Sequence, residues 1–229
     1  MNKRAKSNFK LRILRLSCMK IVNYIYIGID LASGKAIVVD PAWNLREIER
    51  CLEEENAVLN KILITHSHMD HVNLADKMAK KYNIPVYISQ KERDYYHFES
   101  TNLHVFQDGE QLDFGSMKVH CYVTPGHSKG STCYLIENNL FTGDTVFIEG
   151  CGMCKFAGGS AEDMYHSFQR LKASIADEVL VYPAHRYHAE LGQTMQFVKD
   201  HNIYFAIQDI ETFVKFRNRP NIKGAFRFK

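Results

Sequence analysis

Four metal-binding side chains within six residues constrain this chain more than any other feature: His66, His68, Asp70 and His71. They directly follow the apolar run 62–64, which predicts a buried strand that ends where the histidines begin. Imidazole and carboxylate are ligands that zinc prefers. Because alternate side chains of an extended segment point to the same side, His66 and His68 are predicted to bind one ion. Asp70 and His71 are predicted to reach a second ion.

Three later segments each add one candidate ligand, again at the end of a predicted strand. They are His127 in residues 124–128, Asp144 in residues 141–145 and His185 in residues 182–185. A lone histidine is most often a structural or surface residue, and the chain has 11 of them. The order of the candidates along the chain, each where a loop follows a strand, predicts one metal site assembled from four loops.

Hydrophobic periodicity predicts strands and helices that alternate in two similar halves. Strands are predicted at residues 9–16, 21–29, 36–39, 61–65, 85–89, 118–124, 132–137, 140–142 and 178–182, and helices at 45–55, 74–82, 91–97, 161–173 and 190–201. This α/β pattern indicates sheets packed together with helices outside. The length of 229 residues predicts one domain over residues 1–229.

Both ends of the chain are basic. Residues 1–20 contain seven basic residues and no acidic ones, and residues 212–229 contain six and none. Residues 1–8 are predicted to be a flexible N-terminus, and residues 203–229 a basic C-terminal extension. The two ends are either solvated or part of a docking surface for an acidic partner.

The composition argues against a membrane protein. No apolar run reaches the roughly 18 residues of a membrane span, and basic residues interrupt the apolar positions in 9–16, unlike a signal peptide. We therefore expect a cytoplasmic protein with no membrane partner, whose six cysteines are mostly reduced. Cys151 and Cys154 have C-x-x-C spacing. Without a second such pair, neither a structural zinc site nor redox chemistry is expected there.

The H-x-H-x-D-H motif, together with His127, Asp144 and His185, resembles the metallo-β-lactamase superfamily over nearly the whole chain. The resemblance implies the αββα sandwich, in which two sheets lie back to back with helices outside. It also implies a first metal bound by His66, His68 and His127, a second bound by Asp70, His71 and His185, and a bridging Asp144. Because all seven positions are filled, two Zn²⁺ ions are expected, with iron or manganese as alternatives.

Such a site predicts hydrolysis. Two cations lower the pKa of a shared water, and Asp70 is predicted to orient that water and to accept its proton. A thiolate leaving group needs little protonation, because the pKa of an ordinary thiol is about 8.5. A thioester is therefore the expected substrate.

Residues 143–152 and 161–167 resemble the glyoxalase II branch of the superfamily. In that branch a lysine and a tyrosine help to bind glutathione, and Lys155 and Tyr187 are the nearest matches here. They are thus candidate substrate-binding residues, and the alternative is that both are ordinary surface residues. Only 44 residues follow His185, which is too short for the helical domain that this branch carries at its end.

Segments 9–16, 39–43, 147–152 and 201–205 resemble small zinc-dependent hydrolases of polyketide and antibiotic biosynthesis in bacilli. That resemblance implies an acyl thioester carried on the phosphopantetheine arm of an acyl carrier protein. Carrier proteins are usually acidic, so Lys215, Arg217 and Arg219 are predicted to contribute to docking.

Four rival interpretations remain. The nearest is a hydroxyacylglutathione hydrolase. A β-lactamase is disfavoured because Asp144 stands where the best-known lactamases use cysteine. A nuclease, and with it a nucleic acid partner, is disfavoured because no extra strand-binding segment is evident. A non-enzymatic binding module would be expected to lose ligands, and all seven are intact.

Overall fold

A computed structural model describes residues 8–220 of the chain. The predicted flexible N-terminus lies outside the described residues, except for Asn8. The carbonyl of Asn8 accepts a hydrogen bond from Leu31 N at 2.7 Å. Residues 221–229 of the predicted C-terminal extension also lie outside. That the whole chain forms one domain therefore stays a prediction.

The first half of the chain forms a six-stranded sheet, in which the strands are adjacent in chain order. Its strands are β1 (Phe9–Cys18), β2 (Ile21–Asp30), β3 (Lys35–Val39), β4 (Val58–Leu63), β5 (Val86–Ser89) and β6 (Leu103–Phe106). The first three pair antiparallel, and β3 to β6 pair parallel. Four helices connect or follow these strands: α1 (Leu45–Glu54), α2 (Met69–Val72), α3 (Ala75–Tyr82) and α4 (Gln90–Tyr96).

The second half forms another six-stranded sheet of mainly antiparallel strands. Its strands are β7 (Gln111–Phe114), β8 (Met117–Val123), β9 (Thr132–Ile136), β10 (Asn139–Gly143), β11 (Leu180–Pro183) and β12 (Gln193–Thr194). Only β10 and β11 pair parallel, across the connection that contains helix α5 (Ala161–Ser174). Three helices complete the described chain: α6 (Met195–His201), α7 (Ile203–Ala206) and α8 (Ile210–Asn218).

The two sheets lie back to back with helices outside, which confirms the predicted αββα sandwich. Strand β2 shows how the sequence specifies these layers. Its Ile25, Ile27 and Ile29 belong to the apolar core beneath the helices of the first half. Its Tyr24 and Tyr26 belong to the core between the sheets. Because alternate residues of a strand point to opposite faces, β2 contributes apolar side chains to both faces of the first sheet.

Most predicted elements are confirmed within a few residues, and the exceptions have local causes. The helix predicted at 190–201 begins only at Met195, because Gln193 and Thr194 pair with β11 as a short strand. The Thr194 hydroxyl then accepts a hydrogen bond from Phe197 N and starts the helix. Strands β6 and β7 were not predicted, since only the last residue of each is buried and neither has a clear apolar pattern.

The start of the C-terminal extension is folded. Phe205 in α7 and Phe213 in α8 are buried in the core that also contains Phe168 of α5. Their ring centroids lie 4.6 and 5.7 Å from that of Phe168. The extension therefore packs against the second half of the molecule. Within residues 8–220, no helix combines the length and the apolar character that crossing a bilayer requires.

Candidate metal centre

The first group of candidate ligands consists of three histidines from two loops. His66 and His68 follow β4, and His127 follows β8. One ring nitrogen from each lies within 4.8 Å of the others. His68 Nδ1 and His127 Nε2 are 2.9 Å apart. We call these three residues the first triad.

The second group, which we call the second triad, consists of Asp70, His71 and His185. Asp70 Oδ2 lies 3.4 Å from Nε2 of both histidines. The expected extended conformation ends at His68, because Met69–Val72 forms one helical turn closed by a hydrogen bond from Asn73 N to Met69 O. That turn, rather than strand-like alternation, places Asp70 and His71 beside His185, with the His71 ring centroid 3.9 Å from that of His66.

Asp144 lies between the two triads, directly after β10. Its Oδ2 is 3.5 Å from His127 Nε2. Its Oδ1 is 3.5 Å from His185 Nε2 and 3.6 Å from His71 Nε2. One carboxylate oxygen therefore faces each triad, as the predicted bridging role requires.

Three of the candidate ligand histidines turn Nδ1 away from the site and fix it with a hydrogen bond. His127 donates to Met153 O at 2.7 Å, His185 to Val22 O at 2.7 Å and His71 to Asp40 Oδ2 at 2.9 Å. These acceptors hold the proton on Nδ1, so Nε2 is the nitrogen that faces the site and is available to a metal.

Sequence reasoning missed the role of Asp40. Its Oδ1 accepts a hydrogen bond from Thr65 N at 2.7 Å, and its Oδ2 accepts one from the Thr65 hydroxyl at 2.6 Å. The same Oδ2 binds His71. Asp40 thus joins β3 to the start of the ligand loop. The only signal in the sequence was a carboxylate at the end of a predicted strand, 25 residues before Thr65.

The candidate ligand atoms are suited to binding metal ions. Within residues 8–220, His66 Nε2, His71 Nε2 and Asp144 Oδ1 are buried without a hydrogen-bond partner. Buried polar atoms normally have partners, and all three atoms face the same space. A cation in each triad would satisfy them with the nitrogen and oxygen ligands that zinc accepts.

The electrostatics of the two triads differ. Burial lowers the pKa of His66, His68 and His127, which keeps these rings neutral and able to bind a metal. Burial alone would also lower the pKa of His71 and of His185. The carboxylates around them outweigh burial and raise both values. The second triad therefore attracts positive charge, which a metal cation would supply.

A cavity of about 320 Å³ opens beside the metal site. Its walls include Asp144 and Phe147 on one side and Ile203, Phe216 and Arg217 from the C-terminal segment on the other. The lining is largely apolar around a few polar groups, as is usual for a small-molecule site.

The two candidate substrate-binding residues occupy different places. Tyr187 lines the cavity, and its ring centroid lies 5.6 Å from that of Phe147. Lys155 lines a neighbouring cavity together with Arg217 and Arg219. Sequence reasoning assigned Arg217 to docking alone. The structure shows it partly buried, with its guanidinium donating to the Tyr204 hydroxyl at 3.0 Å.

The cysteines near the cavity are buried thiols. Burial raises the pKa of Cys154 to about 11, and it raises that of Cys151 as well. Thiols with such values are protonated at neutral pH and are poor nucleophiles.

Gly152 provides a test of how tightly the site is packed. A Cβ at this position would lie 2.3 Å from Asp144 O and 2.7 Å from His127 Nδ1. Gly152→Ala should therefore displace both ligands, lower stability by about 1–3 kcal/mol and reduce zinc content. Gly150→Ala is the matched control, because the nearest atom would be Tyr187 Cε2 at 3.8 Å. Equal melting temperatures and zinc contents for the two variants would contradict this packing argument.

Comparison with known proteins gives consistent matches. Residues 20–188 match the metallo-beta-lactamase superfamily. The chain is 48% identical over 207 residues to the probable polyketide biosynthesis zinc-dependent hydrolase PksB of Bacillus subtilis, covering 90% of this chain and 92% of that protein. It is 36% identical over 168 residues to a hydroxyacylglutathione hydrolase of Aliivibrio salmonicida, covering 73% of this chain and 63% of that protein. The crystal structure of ETHE1 from Myxococcus xanthus superposes with a TM-score of 0.79 at 27% identity, over 93% of each chain.

Proposed function

This chain belongs to the metallo-beta-lactamase superfamily, and from that membership we propose that it is a zinc-dependent hydrolase of acyl thioesters with two Zn²⁺ ions per chain. The observation that carries the proposal is the position of Asp144 between two triads of ligand atoms, beside a largely apolar cavity. His66, His68 and His127 would hold one ion, and Asp70, His71 and His185 the other. Iron or manganese could occupy the same nitrogen and oxygen ligands.

The chain's own residues suit the reaction. Bound zinc would supply a Lewis acid and lower the pKa of a water toward neutrality. Asp70 Oδ2 is fixed by Asn23 Nδ2, which donates to it at 3.1 Å. The Asp70 side chain is 21% exposed, so it can accept a proton from the attacking water and release it to solvent. Phe147, Tyr187 and Ile203 can hold the acyl chain along the cavity.

The bond chemistry favours a thioester. Attack on the carbonyl carbon breaks the C–S bond, and sulfur leaves with the electron pair as a thiolate. The pKa of an ordinary thiol is about 8.5, so this leaving group needs little help from a general acid. The products are a carboxylic acid and a thiol.

We propose that the thioester is carried by an acyl carrier protein in polyketide biosynthesis. Support comes from the 48% identity to PksB, whose name assigns it to that process. It also comes from two exposed basic residues, Arg219, which lines the cavity, and Lys215 in α8. A cytoplasmic location is part of the proposal, in keeping with six free cysteines.

A hydroxyacylglutathione hydrolase is the second candidate, because Tyr187 lines the cavity and glyoxalase II proteins are also similar to this chain. The deciding experiment measures kcat/KM of the zinc-loaded protein with acyl-carrier thioesters and with S-lactoylglutathione. Asp70→Ala serves as the inactive control. A higher kcat/KM for carrier thioesters supports our proposal. A higher value for the glutathione thioester favours the alternative, and no hydrolysis of either thioester would contradict the proposed activity.

The docking role of the basic C-terminal residues can be tested directly. Replacing Lys215, Arg217 and Arg219 with glutamine should raise KM for a carrier-bound thioester at low salt, because an acidic carrier loses its electrostatic attraction. The effect should shrink as the salt concentration rises. Since Arg217 and Arg219 both line the cavity, Lys215→Gln isolates the surface contribution. The control is Lys35→Gln, an exposed lysine in the first half of the molecule. A carrier KM unchanged relative to that control would contradict docking at this surface.

A further inference from the structure

Glu92 is a fully buried carboxylate to which the proposed reaction assigns no role. It lies in the first turn of α4 and is 0% exposed. Burying a carboxylate is costly unless hydrogen bonds compensate for the lost water. The hydrogen bonds around Glu92 therefore indicate its structural role.

Four donors from two loops surround Glu92. Oε1 accepts hydrogen bonds from the backbone N–H and the hydroxyl of Ser67, both at 2.8 Å. Oε2 accepts one from the Ser128 hydroxyl at 2.8 Å and one from Gly130 N at 2.7 Å. A single side chain thus connects two loops that are 61 residues apart in the sequence.

Each of these loops carries ligands of the first triad. Ser67 stands between His66 and His68, and Ser128 directly follows His127. Ser89 strengthens the connection, because its hydroxyl donates to Gly130 O at 2.6 Å and accepts a hydrogen bond from Glu92 N at 3.1 Å. By contrast, none of the four donors to Glu92 lies next to His71 or His185 in the sequence.

We infer that Glu92 is a positioning residue for the first metal: it holds the loop of His66 and His68 at a fixed distance from the loop of His127. The inference rests on the proposed zinc site and deepens it. Glu92 does not touch substrate or metal in this arrangement. It acts through the spacing of the three ring nitrogens.

The geometry requires a carboxylate rather than an amide. Each oxygen of Glu92 accepts a hydrogen bond from a backbone N–H, of Ser67 on one side and of Gly130 on the other. In Glu92→Gln, either orientation of the amide places an NH₂ group against one of these N–H donors. The loop on that side must move away.

The experiment measures zinc affinity in backgrounds that keep only one triad intact. His185→Ala removes a ligand of the second triad, and His68→Ala removes one of the first. Adding Glu92→Gln to His185→Ala should weaken binding of the remaining zinc ion by about 10- to 100-fold. This is the usual effect of losing a residue that supports metal ligands through hydrogen bonds. Adding it to His68→Ala should leave the dissociation constant unchanged. Glu99→Gln, an exposed substitution a few residues away, is the control in both backgrounds.

The outcomes separate this inference from the proposed function. If the unmodified protein binds no zinc, the proposed function fails and the inference fails with it. If the protein binds zinc and Glu92→Gln weakens neither background, or weakens both equally, only the inference is overturned. Should Glu92→Gln fail to fold, Ser128→Ala in the His185→Ala background replaces it. Loss of one donor to Glu92 should then weaken zinc several-fold, and an unchanged affinity would overturn the inference.

Discussion

Asp144→Ala is expected to lose tightly bound zinc from both triads and to lower turnover by at least about 1,000-fold. The reason is the position of this carboxylate, which directs one oxygen toward His127 and the other toward His71 and His185. Its removal takes a ligand and a negative charge from both ions at once. A metal that polarises a reacting carbonyl contributes several kcal/mol to transition-state stabilisation, and each 1.36 kcal/mol corresponds to a factor of ten.

Zinc per chain by elemental analysis and kcat/KM with a thioester substrate would measure this effect. Asp113→Ala is a suitable control, because the Asp113 side chain is 80% exposed and belongs to β7, which carries no candidate ligand. The control should retain wild-type zinc and activity. An Asp144→Ala protein that still binds two zinc ions would show that this carboxylate does not bridge the two triads.

Asp70→Asn is expected to lower kcat by about 100- to 10,000-fold, the usual range for losing a general base. Asparagine keeps the size of the side chain and an oxygen that Asn23 can still reach by its hydrogen bond. It cannot accept a proton at neutral pH. The fall in kcat should therefore be larger than a partial loss of zinc would cause.

Assays at saturating zinc separate the two roles of Asp70. If excess zinc restores kcat to the wild-type value, Asp70 serves only as a ligand and the proposed proton transfer is wrong. If kcat stays low while two zinc ions are bound, proton acceptance by Asp70 is supported. Asn23→Ala provides a graded comparison. It removes the hydrogen bonds to Asp70 Oδ2 and to the Asp70 carbonyl while leaving every candidate ligand in place.

The sandwich and the candidate ligands were predictable because both depend on local patterns. Alternating residues in strands such as β2 specify which face is buried, and each candidate ligand stands where a strand ends. Strands β8, β10 and β11 run in the same direction, so their ends meet at one edge of the second sheet. The end of β4 in the first sheet is joined to that edge by a hydrogen bond from Thr132 N to Thr65 O. The close match to PksB agrees with that interpretation.

Residues that support the ligands could not be predicted in the same way. Asp40 and Glu92 act through hydrogen bonds to residues that lie 25 or more positions away in the sequence, and their neighbours in the sequence give no sign of those partners. The helices α7 and α8 were also missed. Helix α7 has four residues, and Phe213 is the buried residue of α8, so neither has the repeated apolar spacing that indicates a helix in a sequence.

The C-terminal helices have a consequence for how such a protein can diversify. Every candidate ligand lies at or before His185, whereas one wall of the cavity comes from Ile203, Phe216 and Arg217. The candidate ligands and this wall of the cavity are thus encoded in separate stretches of the chain. Substitutions in the last helices can reshape what enters the cavity while the reaction itself stays intact. For the proposed thioesterase, a change of acyl group would then require substitutions only in a short terminal segment.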